Sequence, residues 1–169
     1  AARGQLADTD STLLILSGDV PMIRAETLAA LIQLHRGHRG RGAACTVLTV
    51  RLKDPSGYGR IVRDDDGIFE RIVEQKDASD DQLQIDEINS GIYCFDTRKL
   101  FAALAKVQNH NAQGEYYLTD VPHILREAGE DVAIYLHNDH KEIEGVNDRR
   151  QLADMESQIR KRTVRKLML

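Results

Sequence analysis

TLLILSGDVP, residues 12–21, decides how the rest of the chain is read. Thr12 leads a run of apolar residues, Leu13, Leu14, Ile15 and Leu16, that stops at Ser17-Gly18-Asp19. A short apolar run without helical spacing, closed by a glycine, is the pattern of a buried strand. From residue 25 the pattern changes: Leu28, Leu31, Ile32 and Leu34 recur at helical spacing over Ala25–His35, and Gly37 releases the helix. A strand followed at once by a helix is the building unit of an α/β domain. In open sheets of that kind, ligands collect just past the carboxyl ends of the strands. Asp19 occupies such a position, and its hard carboxylate oxygens suit Mg²⁺ in phosphate chemistry. Gly18 leaves room for a ligand beside the backbone. The same Gly-Asp pair also makes an ordinary turn, with Asp19 helping to start the following helix.

The alternation continues along the chain. Ala43–Leu52 is strand-like, and GRIVRDDDGIFERIVEQKD, residues 59–77, places two alternating runs either side of Asp64-Asp65-Asp66-Gly67, the signature of a hairpin. Ile88–Phe95 predicts another strand and Arg98–Val107 a short helix with Leu100, Phe101 and Leu104 on one face. Leu118–Ala128 predicts a helix with Pro122 in its first turn, and Val132–Leu136 a last strand. From Asp148 to Leu169 a charged helix carries a narrow stripe of Leu152, Met155 and Ile159. Strands alternating with helices and interrupted by one hairpin imply an α/β domain with a mixed sheet. The length, 169 residues with 41% hydrophobic content, suffices for one core.

Charge and composition narrow the function classes. Lys and Arg number 23 against 27 Asp and Glu, net −4, and the basic residues are scattered apart from Arg36 to Arg41 and the C-terminal end. Nucleic acid is therefore not expected as a partner. No apolar run approaches the length of a membrane span, and AARGQLADTD lacks the basic-then-apolar order of a secretion signal, so a cytoplasmic location without membrane partners is expected. Cys45 and Cys94 sit inside apolar runs and read as small core residues. Arg36-Gly37-His38-Arg39-Gly40-Arg41-Gly42 follows a helix and reads as its C-terminal cap and loop, not as a phosphate cradle. His137 and His140 lack a third metal-ligating neighbour and read as a polar turn.

Four further stretches admit both a bland and a functional reading. In KDPSGYGRIV, Gly57 and Gly59 flank Tyr58, where the backbone could close over a planar or polyhydroxylated ligand or simply turn. Glu74 and Lys76 in IVEQKDA face the same side of an extended chain, which is also the pattern of a surface ion pair. Asn89 in EINSGIY carries an amide suited to hydroxyl groups, or to a turn. Asn147 precedes the last helix and can serve as its N-cap.

Taken together and in order, GDVP (18–21), DPSGYGRIVR (54–63), IVEQKDA (72–78), EINSGIY (87–93), NAQGEYYLTD (111–120) and EGVNDRRQLA (144–153) resemble the uridyltransferase domain of the bacterial bifunctional N-acetylglucosamine-1-phosphate uridyltransferases / glucosamine-1-phosphate acetyltransferases. The resemblance covers nearly the whole chain. It implies a Rossmann-like nucleotide-diphospho-sugar transferase fold with a mixed, mainly parallel sheet, truncated at its N-terminus. Asp19 and Asn147 match the pair that holds Mg²⁺. Ser17, Gly18 and Asp19 fall on the segment that contacts the nucleotide, although the family often has an aromatic at the position of Ser17. Gly59, Glu74 and Asn89 match the positions that hold N-acetylglucosamine.

The reaction implied joins UTP and N-acetylglucosamine 1-phosphate, giving UDP-N-acetylglucosamine and pyrophosphate on the way to peptidoglycan and lipopolysaccharide precursors. The family's opening strand and glycine-rich triphosphate loop have no counterpart: neither G-x-G-x-x-G nor G-x-x-x-x-G-K-[ST] occurs. The expectation is therefore an internal piece, inactive by itself, with a partial nucleotidyltransferase domain over 1–147. Residues 148–169 would lead toward an acetyltransferase β-helix that forms the family's trimer. Two other classes compete. A metal-dependent glycosyltransferase would want Asp-x-Asp where GDVP supplies one Asp, and a non-catalytic binding module would need none of the sugar contacts.

Overall fold

The computed structural model describes residues 3–6, 9–146 and 148–168. Helix α1 (Arg3–Leu6) precedes β1 (Thr12–Ile15), α2 (Ala25–Gly37), β2 (Cys45–Arg51), β3 (Arg60–Arg63), β4 (Phe69–Val73), α3 (Asp80–Leu83) and β5 (Glu87–Asp96). Then come α4 (Thr97–Leu104), α5 (Val121–Glu127), β6 (Val132–His137) and α6 (Arg149–Leu167). The six strands form one sheet in the order β4-β3-β5-β2-β6, with β1 also pairing to β5. None of the described helices is long and apolar enough to cross a membrane.

The sheet is mixed, as the alternation implies. Among the described residues, parallel pairing is restricted to β2 with β6, whereas β5 runs antiparallel to β1, β2 and β3, and β3 antiparallel to β4. The expectation of a mainly parallel sheet thus holds for direction, shared by β1, β2, β3 and β6, but not for hydrogen-bonded pairs. The cause is β5, which lies reversed between strands that point the same way. Apolar periodicity carries no information about strand direction.

Both faces of the central strands are covered, which is why β2 and β5 read as continuous apolar runs. Cys45, Val47, Tyr93 and Phe95 face α4 and α5 through Leu100, Ala103, Val121 and Leu125. Leu48, Val50, Ile88, Ile92 and Cys94 face the other way, toward Leu31 of α2, Val20 and Ile143. The two cysteines therefore belong to opposite faces and remain free thiols in the core. Burial pushes both thiols up, Cys94 to about 11.

Local signals explain most element ends. Asp64 closes the β3–β4 hairpin, its carboxylate accepting from the Ile68 amide at 2.8 Å and its carbonyl from Gly67 at 2.8 Å. Asp96 caps α4 by accepting from the Lys99 amide at 2.9 Å. After α2, the Ala43 amide returns to the His35 carbonyl at 2.8 Å, and Arg39 and Arg41 both pair with Asp131. The glycine-rich basic stretch is accordingly a cap and loop.

The last helix corrects one sequence reading. Its N-cap is Asp148, whose carboxylate accepts from the Gln151 amide at 2.7 Å while the Gln151 side chain accepts from the Asp148 amide at 3.2 Å. The reciprocal pair is a capping box. The capping duty open to Asn147 is thus taken by its neighbour; Asn147 itself lies outside the described residues.

His35 gives the fold a pH dependence. It is buried on α2, its Nδ1 lies 3.0 Å from Thr46 Oγ1, and burial is the chief cause that lowers it below the ordinary 6.5. Between that lowered value and 6.5 the unfolded chain holds a proton that the folded chain does not. Stability is thus retained above 6.5 and declines as pH falls through the window. Urea midpoints measured across this range should fall with pH, and His35→Gln should remove that part of the slope.

Candidate active site

The site occupies a break along one edge of β5. On the other edge, β2 pairs with β5 from Arg51 opposite Glu87 to Cys45 opposite Phe95. The near edge is shared: β1 takes residues 93–96, starting with Ile15 opposite Tyr93, and β3 takes Ile88 opposite Arg60. Residues 89–92 therefore look onto a gap between the carboxyl end of β1 and the start of β3. A cavity of about 350 Å³ fills that gap.

The described residues that the family resemblance marked converge here. Ser17, Asp19, Gly59, Glu74 and Asn89 line the cavity, and Gly18, between the first two, shares a turn with Asp19. The Ser17 hydroxyl donates to the Gly91 carbonyl at 3.4 Å. The Asp19 side chain is exposed, and its carboxylate has no hydrogen bond or ion pair among the described residues. Its backbone carbonyl accepts from the Val146 amide at 2.9 Å. At Gly145 an added Cβ would stand 3.2 Å from Asp19 Oδ2, so residues 145–146 lie directly against the aspartate.

On the opposite wall, Gly59 fits beneath Glu74. A Cβ there would meet Ile72 Cγ2 at 3.1 Å, closer than side chains normally pack, and Glu74 Oε2 at 3.4 Å, in van der Waals contact. The Gly59 carbonyl also accepts from the Asn89 amide at 2.9 Å, which ties the two walls together. Gly59→Ala is expected to cost about 1–3 kcal/mol through overpacking, read as a lowered denaturant midpoint, because the buried Ile72 side chain must give way.

Glu74 is held from behind: Thr119 Oγ1 donates to its Oε1 at 3.0 Å. The ion pair with Lys76 suggested by the spacing does not form. Lys76 sits in a short 3-10 turn and its Nζ donates to Gln113 Oε1 at 2.6 Å, while the Ala112 amide donates to Asp77 at 2.7 Å. NAQGEYYLTD thus buttresses the segment that bears Glu74. No proximity in the sequence indicates this link, since a 3-10 turn, α3, β5 and α4 intervene between Glu74 and Thr119.

Tyr58, noted in the sequence only for its flanking glycines, also lines the cavity. Burial pushes its phenol above the ordinary 10.0, the Glu144 and Asp19 carboxylates add to the shift, and a backbone hydrogen bond with Gly145 opposes it. Ser90 and Gly145 complete the polar lining and were legible only as members of the EINSGIY and EGVNDRRQLA blocks. No group of three or more His, Cys, Asp or Glu is placed to hold a metal among the described residues. A single carboxylate with an amide and ligand phosphates is instead the kind of oxygen set that Mg²⁺ accepts. His137 and His140 stand near Glu142 and Glu144, at 3.3 and 3.8 Å, as polar contacts.

A model of the nucleotidyl transferase family matches residues 1–141. The chain belongs to that family. Among the curated proteins similar to this nucleotidyl transferase chain, one from Brevibacillus brevis named bifunctional protein GlmU is 54% identical, over 93% of this chain and 33% of its own length. Proteins of the same name from Syntrophomonas wolfei and Bacillus thuringiensis are each 49% identical, over 95% and 99% of this chain and 35% and 36% of theirs. The chain thus spans about a third of the length of these relatives. A solved putative glucose-1-phosphate thymidylyltransferase from Bacillus anthracis, in complex with a sucrose, superposes with TM-score 0.51 over 80% of this chain and 49% of its own, at 15% identity. That likeness confirms the nucleotidyl transferase fold.

Proposed function

We propose that this nucleotidyl transferase chain carries the sugar-phosphate site and part of the metal site of an enzyme that transfers uridylyl from UTP to N-acetylglucosamine 1-phosphate, releasing pyrophosphate. The carrying observation is the convergence of Asp19, Gly59, Glu74 and Asn89, drawn from four separate segments, on one cavity at the end of β1. The names of the close relatives and the family match support the same reading.

The chemistry asks little of a general base, because the attacking sugar phosphate is already an anion. The obstacle is to bring two polyanions into line. Mg²⁺, when bound, offsets that repulsion and stabilises charge on the leaving pyrophosphate. Asp19 and Asn147 are the residues that would hold it. The Asp19 carboxylate is exposed and uncommitted to a protein partner among the described residues, and the chain leading to Asn147 is hydrogen-bonded to Asp19 through Val146. An Asn in place of a second carboxylate leaves more net positive charge facing the phosphates.

The sugar would be positioned and not chemically activated by the opposite wall. Glu74 presents an acceptor from beside Gly59, and Asn89 an amide from the β5 edge. Glu74→Ala is therefore expected to raise KM for the sugar phosphate about tenfold or more with kcat little changed, the pattern of lost ground-state binding. Steady-state kinetics should be run on a protein that carries this chain at the length of its relatives. An unchanged KM, or failure to form UDP-N-acetylglucosamine from UTP and Mg²⁺, would reject the proposal.

A further inference from the structure

We infer that Tyr93 is a positioning residue for sugar recognition: with the Gly91 amide it clamps the side chain of Asn89 in one orientation, leaving it as a hydrogen-bond donor to an oxygen of the ligand. The inference rests on the sugar-site reading above. It begins from a β-bulge. Val47 pairs with Tyr93 and Thr49 with Asn89, so Leu48 alone on β2 opposes Ser90, Gly91 and Ile92 on β5. Ser90 closes the bulge, its hydroxyl donating to the Leu48 carbonyl at 2.7 Å and accepting from the Ile92 amide at 3.2 Å. Bulges beside active sites characteristically re-aim a side chain.

The side chain re-aimed is Asn89. Gly91 adopts φ 77°, a conformation that favours glycine, and its amide donates to Asn89 Oδ1 at 3.1 Å. On the other side Asn89 Nδ2 donates to Tyr93 Oη at 2.7 Å, within the core. A backbone N–H can only donate, so exchanging the amide's oxygen and nitrogen would set N–H against N–H at Gly91. Orientation is thereby settled by the protein before any ligand arrives. One Nδ2 hydrogen goes to Tyr93. The second has no acceptor among the described residues, and Asn89 lines the cavity.

Glu74 supplies the complementary half. With Oε1 occupied by Thr119, its Oε2 lies toward Gly59 as an acceptor with no donor among the described residues. A ligand that satisfies both walls presents a hydroxyl donor to Glu74 and a hydroxyl or carbonyl oxygen to Asn89, as a polyhydroxylated sugar with an amide substituent can. Removing the Tyr93 hydroxyl leaves Asn89 tethered at one end only, free to turn its donor away.

Two readouts on the 169-residue chain test this. In the ligand-free state, NMR should show slow solvent exchange for the Asn89 side-chain amide, assigned by its loss in Asn89→Asp, and fast exchange in Tyr93→Phe. Calorimetry should then show N-acetylglucosamine 1-phosphate bound about 3- to 10-fold more weakly by Tyr93→Phe, the range for loss of one hydrogen bond. Asn89→Asp, which keeps the shape but lacks the donor, should lose at least as much affinity and serves if the Phe variant disturbs the core. Unaltered exchange in Tyr93→Phe would overturn the clamp, and altered exchange with unaltered affinity would overturn its role in recognition. Absence of binding by the parent chain would instead reject the sugar-site reading and, with it, the recognition role, while the exchange data still report whether the clamp exists.

Discussion

Asp19→Asn is expected to lower turnover by about 100- to 1,000-fold, the loss typical of removing one preorganised transition-state contact, while leaving the fold intact. The side chain reaches solvent and supports no hydrogen bond or ion pair among the described residues, so its replacement has no structural penalty to confuse the result. The loss should be partly recovered by raising Mg²⁺, because the variant keeps an oxygen ligand at the same place but loses the charge. Initial rates over a Mg²⁺ series, on a protein carrying this chain at the length of its relatives, would show it. Rates equal to the parent at every concentration would mean that Asp19 is only a turn residue, the bland alternative that the Gly-Asp pair always allowed.

Glu142→Ala carries the largest expected cost to stability, about 2–4 kcal/mol, because the buried Thr27 hydroxyl and the Arg24 amide at the helix start both lose their acceptor, at about 1–3 kcal/mol for each buried donor left unpaired. Glu142 is 3% exposed and gathers Thr27 Oγ1 at 2.6 Å, the Arg24 amide at 3.2 Å, Arg24 Nε at 3.3 Å and His137 Nε2 at 3.3 Å. Helix α2 has no side-chain cap of its own, so this carboxylate from a distant segment stands at its N-terminus, where negative charge is favourable. Deleting it strands the Thr27 hydroxyl in the interior. The effect should reach the site as well: Ile143 is buried beside Glu142, and residues 145–146 lie against Asp19. Urea denaturation should show the lowered midpoint, and Glu142→Gln, which keeps the hydrogen-bonding shape, should recover part of it.

How much of this was legible beforehand depended on whether the signal was local. Asp19 could be found because a strand end is written in consecutive residues, an apolar run cut by Gly-Asp. The hairpin at Asp64–Gly67 and the cap of α4 were of the same kind. The box of Asp148 with Gln151 was equally readable, three residues apart, yet Asn147 one position earlier competed for the same duty. Glu74 and Lys76 misled in the opposite sense: their spacing suited an ion pair only if the strand continued, and a 3-10 turn intervenes. What no local pattern could supply was the reversed direction of β5, the Thr119 contact to Glu74, and the bulge that brings Asn89 and Tyr93 together. Each is a pairing between segments distant in sequence, and periodicity is blind to partners.

The shared edge of β5 has a consequence for how ligand size is encoded. One wall of the cavity is anchored opposite Tyr93 and the other opposite Ile88, so the span between them is counted out in residues of a single strand. Strand residues advance in steps of about 3.3 Å, and the two extra residues of the bulge adjust that count. β5 therefore acts as a gauge. Lengthening or shortening the 89–92 segment would change the bore of the site in discrete steps, a route by which members of one fold could come to accept larger or smaller sugars while every contacting side chain stayed the same.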